Sequence, residues 1–180
     1  MDMSVTPSTR ELRDALGAFA TGVAVVTGIR PDGKPAGVTV NSFASVSLDP
    51  PLILWCLQNS STSLDAFAEG GRFAVNMLAA HQQAIALRFA GKAPMKFPDA
   101  KALDPQGAPP RLAGCVCRLD CVAQSVTAAG DHRIIIGRVE GFERAGGTPL
   151  VFSGGRFGRI ELDPQSQQVD SWDSYFGEWF

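Results

Sequence analysis

The sequence predicts a mainly β domain with a few helices, folded as a closed or partly open antiparallel barrel. Three features predict it. Residues 22–29, 38–46, 52–57, 72–78, 113–126 and 133–143 are rich in β-branched and apolar residues, several of them with period-two alternation. Glycine, proline and aspartate punctuate the chain between them. Only residues 8–20, 64–68 and 81–90 carry apolar residues at helical spacing. A chain of 180 residues with 45% hydrophobic content can build one domain around a sizeable core.

In chain order, Ser8 or Thr9 stands as an N-cap, and Leu12, Leu16 and Phe19 follow at helical spacing, so a short amphipathic helix opens the fold. Gly17 weakens it slightly. Residues 22–29 form a strand, Arg30-Pro31-Asp32-Gly33-Lys34-Pro35 is a turn, and the chain is extended again from Ala36, which makes a hairpin. A strand over 38–46 puts Thr39, Asn41, Phe43 and Ser45 on one face and Val38, Val40, Ser42 and Ala44 on the other. Thr39, Asn41 and Ser45 make a row of short donors and acceptors suited to a planar ligand edged with heteroatoms. The same row also fits an edge strand whose hydroxyls face water. Asp49-Pro50-Pro51 stops the ladder, since proline supplies no donor, and 52–57 returns as a buried apolar strand.

Residues 58–63, Gln-Asn-Ser-Ser-Thr-Ser, precede the helical spacing of Leu64, Phe67 and Ala68. The hydroxyls of Ser60, Ser61 and Thr62 suit either simple capping or an anion at a helix N-terminus. Gly70-Gly71 ends that segment, and 72–78 alternates like a strand in which Asn76 is a structural hydrogen-bonder or a pocket residue. A second helix over 81–90 is anchored by Ile85 and Phe89, with His81 as a cap or solvent contact at its start. Residues 91–112 carry five prolines and little periodicity, so a long irregular connection is expected, of the kind that often serves as a lid. Two strands, 113–126 and 133–143, flank a turn at 127–132, and two short strands, 150–153 and 157–162, close the barrel. The tail, 163–180, concentrates Trp172, Tyr175, Phe176, Trp179 and Phe180, and so should dock on the protein surface.

A formal charge of −2 offers no basic footprint for a nucleic-acid backbone. No apolar run reaches the roughly 20 residues of a membrane span, and the start lacks a basic-then-apolar leader, so a cytoplasmic protein is expected. Cys56, Cys115, Cys117 and Cys121 include no Cys-x-x-Cys pair and the two histidines are scattered, so no metal site is expected and the thiols read as reduced and structural.

The block 39–51, the later Gly130-Asp131-His132 followed by Ile134-Ile135-Ile136-Gly137-Arg138-Val139, and the closing Leu150-Val151-Phe152 with Gly155-Arg156-Phe157 together resemble the flavin reductase family. The resemblance covers about residues 10–162. It implies an FMN-binding split β-barrel of Greek-key antiparallel type over 1–162, with 163–180 as an appended tail, and a homodimer with flavin near the subunit interface. It implies FMN or FAD as the flavin, NADH or NADPH as the hydride donor, and a separate monooxygenase that receives reduced flavin. By the same resemblance, Asn41, Ser42 and the backbone and hydroxyls of Ser45, Val46 and Ser47 hold the isoalloxazine edge, Thr39 and Phe43 are further flavin-binding candidates, and Ser60, Ser61 and Thr62 hold the phosphate. Phe89 and Lys96, with Phe97, are the aromatic or basic candidates beside the flavin, and Phe157 replaces a more usual Tyr near the ring. His132 is the catalytic candidate, orienting the nicotinamide; a turn histidine bonded to Asp131 is the alternative. No Gly-x-Gly-x-x-Gly run opens a helix after a strand, so the nucleotide would lie over the flavin rather than in a Rossmann domain. Two other functions fit the same residues: a tightly bound FMN passing electrons to another acceptor, and a flavin-binding carrier without nicotinamide turnover.

Overall fold

The computed structural model describes residues 8–91, 96–97 and 108–161. Among these, ten strands form two antiparallel sheets, with two helices and two short 3₁₀ turns. The first helix, α1 (Thr9–Leu16), starts where the sequence places it: Ser8 Oγ accepts the Glu11 N–H at 3.2 Å and the Glu11 carboxylate accepts the Ser8 N–H at 2.8 Å. It stops at Gly17, short of residue 20, and leaves Leu16 and Phe19 exposed.

The seven-stranded sheet runs β3 (Pro35–Val40), β2 (Ala24–Ile29), β6 (Arg72–Met77), β7 (Cys117–Ala129), β8 (His132–Arg144), β5 (Pro51–Gln58), β4 (Ala44–Leu48). The smaller sheet joins β1 (Thr21–Gly22), β9 (Leu150–Ser153) and β10 (Arg156–Arg159). Strand β2 is buried on both faces, which is why its sequence is a continuous apolar run. Ala24 and Val26 face the barrel interior with Trp55, Phe67, Phe73 and Ile135, whose aromatic members meet edge to face, Trp55 and Phe67 at 4.9 Å. Val25 faces the other way, into a second core formed with Leu78, Phe89 and Leu150 between the small sheet and α2 (Gln83–Ala90).

Several expected elements differ. The single strand over 38–46 is two strands: β3 ends at Val40, and Asn41-Ser42-Phe43 carry the chain from one edge of the sheet to β4 at the opposite edge. The pattern was misleading because period-two alternation runs on through the crossing. Edges β3 and β4 do not pair with each other, so the barrel is split and partly open. Residues 22–29 divide at Val23, which serves both sheets: its N–H donates to Leu150 O and its carbonyl accepts from Leu78. The segment at 64–68 is a single 3₁₀ turn (Leu64–Phe67) without a side-chain cap. The loop over 127–132 contracts to Gly130-Asp131, with Gly130 at φ 62° and Ala129 already paired to His132. Cys115 lies before β7 rather than on it. The aromatic tail falls outside the described residues.

Candidate active site

The split in the barrel is a cavity of about 940 Å³. Its walls are the edge strand β3, the crossing at Asn41 and Ser42, the end of β5 with the turn after it, the C-terminal end of α2, and the two residues Lys96 and Phe97. His132 enters from the start of β8, where register places it opposite Gln58.

The floor is aromatic because β3 has a glycine at the decisive position. A Cβ on Gly37 would stand 2.5 Å from Phe89 Cε1, so the bare backbone is what lets Phe89 and Phe97 lie against it. The two rings meet at 5.1 Å, and Lys96 fastens them: its ammonium donates to Gly37 O at 3.0 Å and Phe89 O at 3.1 Å. Burial first, and the Arg30 charge second, push the Lys96 ammonium below its ordinary pKa.

Arg30 and Lys34, at the ends of the β2–β3 turn, also line the cavity. Arg30 lies 3.4 Å from Asp65, which brings that turn beside Ser60, Ser61 and Thr62, all on the cavity wall. Three cations, of which Arg30 is paired with Asp65 and Lys34 with Asp32 at 2.9 Å, therefore gather in one region with a cluster of hydroxyls. That is the donor set an anionic group requires. Sequence alone reads Arg30 and Lys34 as turn residues, because charges in turns are usually solvated; their one signal is their place at the mouth of the hairpin leading to Thr39.

Among the polar candidates, the side chains are differently committed. Thr39 Oγ1 donates to Ala86 O at 2.7 Å, tying β3 to α2. Ser42 Oγ accepts the Cys56 N–H at 2.9 Å, bridging the crossing to β5. Ser61 Oγ accepts the Ser63 N–H at 3.2 Å. Asn41, Ser60, Thr62 and Gln58, the last not singled out from sequence, make no side-chain hydrogen bond among the described residues and face the cavity. His132 Nδ1 lies 2.7 Å from Asp131 Oδ1, so the ring is held by the turn and also lines the cavity. That bond, then the histidine charge, holds the Asp131 carboxyl below the ordinary carboxylate range.

Phe43, Ser45, Val46, Ser47 and Phe157 do not line this cavity. Phe43 packs against the barrel core. Ser45, Val46 and Ser47 lie on the edge strand β4, with Val46 exposed. Phe157 meets Phe152 edge-on at 5.2 Å in the small sheet. Asn76 is fully buried and structural, donating to Val25 O and Thr27 Oγ1.

Residues 16–161 match the family model described as flavin reductase like domain. The chain belongs to the flavin reductase family. FMN reductase (NADH) SmoA of Agrobacterium fabrum is 46% identical over 156 residues, covering 85% of this chain and 87% of the relative. Two other relatives, from Rhizobium meliloti and Acinetobacter baylyi, are longer, and the chain spans 48% and 50% of their lengths. Among solved structures, nitrilotriacetate monooxygenase component B from Mycobacterium thermoresistibile has a TM-score of 0.78 at 35% identity, covering 89% of this chain and 93% of that one. The NADH:FAD oxidoreductase SgcE6 of Streptomyces globisporus, in complex with NAD and FAD fragments, has a TM-score of 0.75 at 37% identity, covering 91% and 98%.

The residues present fit a flavin. The cavity is at the large end of the range for small-molecule and cofactor sites, roughly 300–1,000 Å³. It offers an aromatic floor, a polar edge at Asn41 and Gln58, and a cationic, hydroxyl-rich end at Ser60, Thr62 and Arg30. In this flavin reductase family member the candidate surface lies at the barrel opening. Among the described residues, no cluster of metal-ligating side chains is found.

Proposed function

We propose that this protein is an NAD(P)H-dependent flavin reductase that takes FMN or FAD as substrate and supplies reduced flavin to a separate monooxygenase. The observation that carries this reading is the barrel split, a cavity whose aromatic floor and phosphate-suited end match a flavin and whose remaining wall carries His132. The family match over 16–161 supports it, as do relatives named as reductase components or subunits of flavin-dependent monooxygenases.

The nicotinamide supplies a hydride, and the flavin accepts it together with a proton. The chain's part is to bind, orient and exclude water. Ser60, Ser61 and Thr62, backed by Arg30 and Lys34, hold the phosphate. Asn41 and Gln58 meet the heteroatom edge, while Phe89 and Phe97 close the floor. His132, its Nδ1–H donating to Asp131, presents Nε2 to the nicotinamide and positions it. Ser42, Thr39 and Lys96 keep the walls in place.

A cytoplasmic homodimer belongs to the same reading. Four free thiols and the exposed apolar side chains Leu16, Phe19 and Phe142 support it. A sedimentation mass near twice the 19.1 kDa chain is expected, and a monomer mass would remove the dimer.

The direct experiment is anaerobic. Protein, FMN or FAD, and NADH or NADPH are mixed, and the visible flavin absorbance is followed against a protein-free control. Rapid bleaching is expected. A protein that binds flavin yet leaves it oxidised in the presence of both nucleotides would overturn the reductase reading in favour of a carrier.

A further inference from the structure

Between two residues that line the flavin cavity, Gln58 and Ser60, stands one that does not. Asn59 is the first residue beyond β5, just past the Gln58–His132 pair that closes the β5–β8 ladder. Its backbone N–H and both ends of its side-chain amide turn away from the cavity, to the β7–β8 hairpin. The N–H donates to Asp131 O at 2.9 Å, Nδ2 donates to Gly130 O at 3.1 Å, and Oδ1 accepts from Arg133 Nε at 3.3 Å. Only one orientation of the amide satisfies both side-chain partners, since a carbonyl only accepts and a guanidinium only donates.

These contacts bracket His132 without touching it. Gly130 and Asp131 are the whole of the two-residue turn before it, and Arg133 follows it. Asp131 also holds the His132 ring, through its carboxylate at 2.7 Å from Nδ1. A shift of the turn therefore moves the imidazole with it.

The phosphate-suited segment has fastenings of its own. The Ser61 N–H donates to Gln58 O at 3.0 Å and the Ser63 N–H to Ser61 Oγ at 3.2 Å. Neither needs the Asn59 side chain. That side chain bonds at an exposed place, where water competes for each partner, so its part in overall stability is small. What it fixes is the placement of the turn.

We infer that Asn59 is a positioning residue for hydride transfer: it holds the hairpin tip so that His132 meets the nicotinamide in register with a flavin whose phosphate lies on the adjoining Ser60, Ser61 and Thr62. The inference rests on the reductase reading and adds to it a residue outside the cavity that acts through the histidine.

Anaerobic single-turnover reduction, with the flavin and nucleotide pair that the parent turns over fastest, tests it alongside a flavin titration. Asn59→Ala is expected to slow reduction at saturating nucleotide about fourfold and to leave the flavin Kd within about twofold. A double-mutant cycle decides the matter: in a His132→Ala background the same substitution should change the rate by less than about 1.5-fold, because the ring it positions is gone. A merely structural role would slow both backgrounds alike. Asn59→Asp keeps an acceptor for Arg133 but loses the donor to Gly130, so it should be slowed as well. An unaltered rate in Asn59→Ala, equal slowing in both backgrounds, or a parent-like rate in Asn59→Asp would overturn this inference alone. A parent that leaves both flavins oxidised removes the reductase reading and this inference with it.

Discussion

His132 shows how a residue can satisfy two readings at once. The ring is bonded to Asp131 as a turn histidine would be, and it also lines the cavity. The first fact makes the second useful, because a fixed Nδ1 leaves Nε2 directed by the turn rather than free to rotate. His132→Ala is expected to slow nicotinamide-dependent flavin reduction about tenfold while changing flavin affinity by less than about twofold, since it removes orientation and not flavin contact. Stopped-flow reduction alongside a flavin titration separates the two, and equal losses would assign the histidine to the turn alone. The anchor should persist into acid: Asp131 is held below the ordinary carboxylate range, so its contribution is complete above that range and fades only as pH falls through the lowered value. At this scale the sequence singled out His132, Lys96 and the serine cluster because their chemistry is rare, and the structure puts all of them on one cavity wall. The sequence was uninformative where a hydroxyl had competing partners in space, as for Thr39 and Ser42, whose bonds to Ala86 and Cys56 join residues 47 and 14 positions apart.

The crossing at Asn41-Ser42-Phe43 shows what an element can hide. Alternation continued through it, and local pattern contains nothing that distinguishes a strand which stays in its ladder from one which leaves one edge and enters the other. The difference is a tertiary one, set by which edge each half pairs with. Ser42 is where the structure compensates: its hydroxyl receives the Cys56 N–H that no neighbouring strand receives at that point. Ser42→Ala should therefore cost about 1–2 kcal/mol, the penalty for a half-buried donor left unmet. Urea unfolding should show a lower midpoint with an unchanged m-value; an unaltered midpoint would show that the bond is replaced by solvent. The hairpin at Arg30–Lys34, the strand 52–57 and the helix at 83–90 were legible because each is decided locally, by turn chemistry, by a run of apolar residues, or by spacing of three and four. The 3₁₀ turn at Leu64–Phe67 was over-read as a helix, since four residues carry too few periods to tell the two apart.

For the whole molecule, the two cores have a common boundary at β2, and both exclude water from thiols. Cys121, in the barrel core, has its pKa pushed up to about 12, first by burial and then by the Asp120 and Glu140 charges. Unfolded, the same thiol ionises near its ordinary value of about 8.5. Above that value the unfolded chain sheds a proton that the folded chain keeps, so folding stability should fall by about 1.4 kcal/mol per pH unit until the folded thiol also ionises. Replacing Cys121 with Ala should flatten this alkaline loss, measured as Tm against pH between about 8.5 and 11; an identical slope in the variant would assign it to other groups. The fold class was readable because strand content and turn spacing are whole-chain properties. The split came through the family resemblance and not from the pattern, because openness depends on one missing ladder between strands that are consecutive in sequence and farthest apart in the sheet order.

That missing ladder sets a limit on how the molecule can accommodate what enters it. Four Cα–Cα steps connect the last residue of β3 to the first of β4, a leash of no more than about 14 Å at full stretch. The opening is therefore tethered by the chain itself at the Ser42 end, and at the other end by Lys96 on Gly37 and by the Arg30–Asp65 pair, so whatever enters meets walls fastened on both sides.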